Sequence, residues 1–302
     1  MRATSLTSLF FVLLALLFAA PALAAEGIDG SVGRDGANAE RDVLTVQILL
    51  NQVPAAEGGP EEMLVPDGVC GPRTIFAIER FQRQQLGDGG VTGRLEPGQP
   101  GLERLQAVVD RQPRNDRIIK IALGERLFWQ DGKRTELDER VTTRLQQYWQ
   151  AVGVKASLEQ LRSERFHNEM PWSAAFISWV MKQAGAGDDF HYSDSHWEYV
   201  AAAKKNRLAG NDNPYKAYRP SEQPTALGDI VVKRRATNTA TYDNIETGHP
   251  THGDFVVAIK DGQAETIGGN VSNSVRTTMV PLDDQLHVSD ERYFAIVKVK
   301  HK

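Results

Sequence analysis

The residue pattern of this chain changes from helical to β in its last third. Before that point, apolar side chains recur at helical spacing, most clearly in residues 140–152 and 171–184. The last third instead contains short runs rich in β-branched and aromatic residues, at 229–232, 253–259, 264–267 and 293–299. Helices followed by an antiparallel meander predict an α+β fold.

The first 25 residues have the pattern of a secretory signal peptide. Arg2 precedes an apolar run over residues 9–20, and residues 22–24 form an A-x-A cleavage signal. The apolar run is shorter than the roughly 20 residues that a membrane-spanning helix needs, and no later apolar stretch is long enough either. We therefore predict residues 1–25 to be removed, a periplasmic or secreted protein, and no membrane span.

Charge and cysteine content argue against a nucleic-acid-binding protein and against a fold held by disulfides. The 302 residues include 35 basic and 39 acidic side chains, which give a formal net charge of −4. Nucleic-acid-binding domains usually have a basic surface, so no nucleic acid is expected as a partner. Cys70 is the only cysteine, so no disulfide can form within the chain, and we expect its thiol to be buried. The G-x-S-x-G motif is absent, and no cofactor is expected.

Residues 31–110 predict a small helical domain. Apolar residues at helical spacing indicate three helices, at residues 42–51, 75–81 and 101–109. A loop rich in glycine and proline at 65–74 separates the first two helices. Thr74 or a neighbour is expected to cap the second helix.

This domain resembles the three-helix peptidoglycan-binding module of bacterial wall hydrolases. The residues that carry the resemblance are Val46-Gln47 and Leu50 in the first helix, Asp67-Gly68, Gly71-Pro72 and Thr74 in the loop, and Ala77-Ile78 with Phe81-Gln82 in the second helix. The resemblance implies peptidoglycan as the partner, with most matching residues serving the fold. The alternative is a helical cap on the second domain.

Ser173, in the W-S-A-A-F motif of residues 172–176, is the most informative chemical group of the second domain. Pro171 is suited to open a helix, which apolar residues continue until Gly185. Ser173 would lie in the first turn, where unpaired backbone N–H groups and the helix dipole stabilise negative charge. Such a serine is either a nucleophile or a buried serine of the kind common at helix starts.

Residues 118–302 resemble the CHAP and NlpC-type papain-like amidases and endopeptidases, with serine in place of the nucleophilic cysteine. Beside the W-S-A-A-F helix, the matching segments are 226–231, 248–257 and 267–270. A closer match is an uncharacterised bacterial domain family in which this serine is usual. The resemblance implies a papain-like domain of helices and antiparallel sheet. It also implies Ser173 as nucleophile, His252 as general base and Asn270 as the residue that orients the imidazole.

Other residues compete for roles in this site. His249 and His196 are alternatives to His252 as the base. His196, Trp172 and Trp197 are expected to bind substrate, because a polymeric wall substrate needs an open groove with aromatic walls. A place in the core is an equal alternative for the two tryptophans. These features predict an exported peptidoglycan hydrolase, either an amidase or an endopeptidase.

Two other functions remain open from the sequence. His249, His252 and Asp254 form an H-x-x-H-x-D cluster of residue types that bind zinc, which would suit a zinc-dependent wall hydrolase. The preferred interpretation has no metal, because the H-E-x-x-H signature and a second group of ligands are absent. The remaining function is a non-catalytic scaffolding protein, because a serine hydroxyl hardly ionises near neutral pH and depends entirely on a well-placed base.

Overall fold

The computed structural model describes residues 27–235 and 238–300, which form an α+β protein. The fold class predicted from the sequence is therefore confirmed. The signal peptide predicted for residues 1–25 lies outside the described residues. In the described part of the chain, no helix is both long and apolar enough to span a membrane.

Five of the described helices and four of the described strands coincide with predicted segments. The helices are α1 (Glu40–Gln52), α2 (Pro72–Leu86), α3 (Pro100–Asp110), α4 (Arg114–Phe128), α5 (Thr142–Ala151), α6 (Glu164–Glu169), α7 (Ser173–Gln183) and α8 (His196–Leu208). The strands are β1 (Val32–Gly33), β2 (Arg94–Leu95), β3 (Tyr215–Tyr218), β4 (Ile230–Arg234), β5 (Thr251–Lys260), β6 (Gln263–Gly268), β7 (Arg276–Pro281) and β8 (Tyr293–Val299). The sequence did not predict helices α4, α6 and α8 or strands β1, β2, β3 and β7. Of these, α8 proves important for the site.

The first domain consists of α1, α2 and α3 with a short β1–β2 ladder, around its own apolar core. Two buried glutamine side chains hold the turns of this domain. Gln47 accepts a hydrogen bond from the N–H of Gly68 at 2.9 Å. Gln82 accepts from the N–H groups of Thr92 and Gly93 at 3.0 and 2.8 Å. Both amide oxygens accept hydrogen bonds from backbone N–H groups inside the domain, so Gln47 and Gln82 maintain its fold.

Two details of the loop before α2 differ from the sequence prediction. Helix α2 begins at Pro72 without a side-chain cap, because the N-cap residue, Gly71, has no side chain. Thr74 lies inside the first turn instead, and its buried hydroxyl accepts a hydrogen bond from Gln47 Nε2 at 3.2 Å. Cys70 is half-buried rather than fully buried, and burial raises the pKa of its thiol.

The second domain contains, among its described residues, a six-stranded antiparallel sheet in the order β3-β8-β4-β5-β6-β7. One apolar cluster joins α4, α5, α7 and α8 to one face of this sheet, with Phe176 of α7 and Phe255 of β5 among its members. A smaller cluster with Val231 and Val256 covers the other face. This packing brings the first residues of α7, α8 and β5 to one place.

A buried ion pair lies where the two domains meet. Arg144 of α5 pairs with Glu125 of α4, and both side chains are almost fully buried. A second guanidinium nitrogen of Arg144 donates to the carbonyl of Pro66 in the first domain at 2.5 Å. Burial raises the pKa of Glu125, and the charge of Arg144 acts in the opposite direction. Arg144 therefore both stabilises a buried carboxylate and links the domains.

Replacing Arg144 with alanine should lower the free energy of unfolding by about 3 kcal/mol, because Glu125 would stay buried without its cation. Urea unfolding of the variant and the wild type measures the difference. The matched control is Arg140→Ala, which breaks the solvent-exposed pair with Asp138 and should change stability little. Equal losses for the two variants would show that the buried pair contributes no more than an exposed one.

Candidate active site

Ser173 is the first residue of α7, and its hydroxyl contacts an imidazole. Ser173 Oγ lies 2.7 Å from Nε2 of His196, the first residue of α8. The two residues are only 2% and 4% exposed. Backbone N–H groups in a first helical turn have no partner within the helix, so both residues lie at positive helix ends. A hydroxyl and a basic nitrogen thus meet where negative charge is stabilised.

Tyr199 holds the other side of the His196 ring. His196 Nδ1 and Tyr199 Oη are 2.7 Å apart, one helical turn along α8. In the tautomer whose Nδ1 carries the proton and donates it to Tyr199, Nε2 accepts the proton of Ser173. Burial, with the charge of Asp254 as a second cause, raises the pKa of Tyr199 well above its usual value. Tyr199 is therefore a neutral hydrogen-bond partner that orients the ring.

His196 is an uncharged base near neutral pH. Burial, followed by the neighbouring charges of His252 and Arg235, lowers the pKa of His196 well below its usual value. A general base acts in its deprotonated form. His196 consequently keeps the form that accepts a proton under conditions in which an exposed histidine would be charged.

A second histidine lies beside His196. The ring centroids of His196 and His252 are 5.4 Å apart. His252 Nε2 is 2.8 Å from Oδ1 of Asp254, which is two residues further along β5 and so on the same face of the strand. Burial alone would raise the pKa of Asp254, but pairing with His252 and Lys233 keeps that pKa below its usual value. A buried carboxylate with its histidine partner therefore lies next to the Ser–His pair.

Two glycines leave the space that these polar side chains occupy. A Cβ atom on Gly253 would lie 2.3 Å from Tyr199 Oη and 3.1 Å from His196 Nδ1. A Cβ atom on Gly268 would lie 1.6 Å from Asp254 Oδ1. Any side chain at these positions of β5 and β6 would displace a hydroxyl or a carboxylate from its histidine.

A cavity of about 310 Å³ lies next to Ser173 and His196, which are part of its lining. The other lining residues are Pro171, Asp194, Ser195, Trp197, Arg235, Gly248, His249, Pro250 and Thr251. They belong to the segments that precede α7, α8 and β5, to the first turn of α8, to the start of β5, and to the residue after β4. The Ser–His pair is thus buried against protein on one side and accessible from a cleft on the other.

The structure brings together part of the predicted catalytic set. Ser173 has the predicted place at a helix start, but its hydrogen-bond partner is His196 rather than His252. His252 pairs with a carboxylate and is not among the cavity-lining residues. Asn270 follows β6 with φ 56°, and among the described contacts its side chain has no hydrogen bond to either histidine. Tyr199, rather than Asn270, is the residue that orients the imidazole of the base.

The two tryptophans predicted to bind substrate have different surroundings. Trp172 is fully buried, donates from Nε1 to Glu136 at 2.7 Å and stacks on Trp129 with ring centroids 5.0 Å apart. It belongs to the core, so the prediction that it lines an open groove is wrong. Trp197 is half-buried and lines the cavity together with His196.

The zinc alternative has no ligand set in the described part of the chain. His252 Nε2 is hydrogen-bonded to Asp254, while His249 lines the cavity. Within residues 27–235 and 238–300, no group of three or more His, Cys, Asp or Glu side chains is placed to hold a metal ion. The H-x-x-H-x-D pattern is therefore explained by the His252–Asp254 pair.

The sequence profile of a family described as "Uncharacterized protein conserved in bacteria (DUF2272)" matches residues 128–296, more than half of the 302 residues. The chain belongs to this family. The DUF2272 region contains the Ser173–His196–Tyr199 arrangement and the His252–Asp254 pair. No curated protein and no solved structure matches the chain.

The sequence patterns do not mark Tyr199 or Arg235 as site residues. A signal for Tyr199 exists, since it follows His196 by three residues, the spacing at which side chains meet on a helix. Arg235 has no comparable signal, because its place beside the cavity depends on tertiary packing.

Proposed function

We propose that this protein is an exported hydrolase that cleaves an amide bond of the cell-wall peptide. The observation that supports this most directly is the 2.7 Å distance between Ser173 Oγ and His196 Nε2 beside a cavity. A hydroxyl hydrogen-bonded to a base, with free N–H groups of a helix start alongside, is the arrangement that acyl transfer requires.

The reaction proceeds in two steps in this proposal. His196 Nε2 accepts the proton of Ser173 while Oγ attacks the amide carbonyl carbon, and the first-turn N–H groups of α7 stabilise the oxyanion. His196 then gives that proton to the leaving amine as the C–N bond breaks, which leaves an ester on Ser173. A water molecule loses a proton to His196 as its oxygen attacks the ester carbonyl carbon, and His196 returns that proton to Ser173 Oγ as the C–O bond breaks, which releases the acid and restores the serine. Tyr199 keeps the imidazole oriented throughout.

The first domain supports the cell wall as the substrate. Its three helices and its turn-holding residues Gln47 and Gln82 follow the pattern of the peptidoglycan-binding module described above. A domain that binds the wall raises the local concentration of substrate for the second domain without changing its chemistry. The predicted signal peptide is consistent with an exported protein.

Digestion of purified peptidoglycan tests this function. The wild-type protein should lower the turbidity of a peptidoglycan suspension and release soluble fragments, and the Ser173→Ala protein should not. Mass spectrometry of the fragments identifies the bond that is cleaved. If the wild-type protein binds the wall and releases nothing, the protein is a non-catalytic scaffolding protein.

Hydrolysis should remain fast at pH values at which an exposed histidine is protonated. His196 acts as a base only when neutral, and burial with two neighbouring charges lowers its pKa. The rate therefore falls on acidification only when the pH passes below the usual histidine pKa of about 6.5. The pH dependence of kcat/KM measures this, and an acidic limb above about pH 6.5 would contradict it.

A further inference from the structure

A cationic side chain and two helix starts border the cavity beside Ser173. Arg235 lines the cavity, and its charge is among those that lower the pKa of His196. The starts of α7 and α8 border the same cavity, and the N-terminal end of a helix carries partial positive charge. An anionic group in the cavity would therefore meet a cationic side chain and two favourable helix ends.

The acidic residue of the lining, Asp194, is accounted for by helix α8. Asp194 is exposed, directly precedes Ser195, and accepts a hydrogen bond from the Ser195 hydroxyl at 3.2 Å. A carboxylate just before a helix is stabilised by the helix dipole. Burial is the largest cause of the lowered pKa of His196, and the two charges that contribute, those of His252 and Arg235, both lower it further.

We propose that Arg235 binds a carboxylate of the substrate, so that Ser173 acts on amides of acidic peptides. A guanidinium group binds a carboxylate through two parallel hydrogen bonds, which gives both affinity and orientation. Binding of this kind would hold the scissile carbonyl beside Ser173 Oγ. The inference rests on the proposed function, because it names the substrate class of the same site.

Two peptides that differ only in their carboxylates test this substrate class. The first is a soluble disaccharide-peptide released from peptidoglycan by a glycan-cleaving enzyme, and the second is the same molecule with its carboxylates converted to carboxamides. Wild-type kcat/KM should be about 10- to 100-fold higher for the acid form. Arg235→Gln should remove this preference by slowing hydrolysis of the acid form alone. Arg234→Gln loses the same charge from a side chain outside the cavity lining, and should retain the preference.

Calorimetric binding to the Ser173→Ala protein separates this inference from the hydrolase itself. If neither peptide is hydrolysed by the wild type, tighter binding of the acid form that depends on Arg235 would support carboxylate recognition and overturn the hydrolase. Equal hydrolysis of both forms, or equal slowing of both by Arg235→Gln, would overturn carboxylate recognition and leave the hydrolase intact. If neither form binds, carboxylate recognition is also overturned.

Discussion

Replacing Ser173 with alanine should slow hydrolysis of peptidoglycan by about 1,000-fold or more. The substitution removes the oxygen that bonds to the acyl carbon and that lies 2.7 Å from His196 Nε2. Only substrate binding and the helix N–H groups would then contribute to the rate, and these alone leave a small residual activity. Mass spectrometry of fragments released over many hours has the range to measure such a loss.

The Ser173→Ala protein should be close to the wild type in stability, because one internal hydrogen bond contributes only about 1 kcal/mol. Urea unfolding therefore separates loss of chemistry from loss of fold. Ser289→Ala, at an exposed position, should leave the rate unchanged. Ser173→Cys places a thiol beside the same imidazole and should make that residue react with iodoacetamide. Full activity of the alanine variant would exclude Ser173 as the nucleophile.

Replacing His196 with glutamine should lower kcat by about 100- to 10,000-fold, the usual contribution of a general base. Glutamine can still hydrogen-bond to the Ser173 hydroxyl, but it cannot take its proton. The loss should therefore appear in kcat rather than in KM. Initial rates of hydrolysis of the soluble disaccharide-peptide across a range of concentrations measure the two constants separately.

The matched variant is His252→Gln, because it replaces the neighbouring histidine in the same way. Its loss of rate near neutral pH should be about tenfold at most, since the Ser173 hydroxyl is hydrogen-bonded to His196 and the His252 Nε2 atom to Asp254. The acidic limb of the pH profile should move to higher pH, because one of the charges that lower the pKa of His196 is gone. Asp254, Arg235 and Tyr199 remain near the ring in this variant. If His252→Gln abolished activity while His196→Gln did not, His252 would be the base, as the sequence predicted.

Local sequence patterns predicted the strands around the site but not the helix that carries the base. Helix α8 escaped prediction because its buried residues include His196 and Lys204, so its inner face does not show as an apolar stripe. Trp172, in contrast, was assigned to the substrate groove although it lies in the core. An aromatic residue next to a nucleophile has the same identity whether it lines a groove or stacks in the core, and only its contact with Trp129 distinguishes the two.

The spacing of apolar residues and the turn residues was enough to place Ser173 at a helix start and to predict an α+β fold. These features depend on residues close together in the chain, whose geometry is the same in any fold. The partner of Ser173 depends instead on where α7, α8 and β5 pack against one another. Both His196 and His252 are close to that point, and the choice follows from a few ångströms of packing that the missing side chain of Gly253 makes possible. Distances of that kind are set by the whole core, which no short stretch of sequence contains.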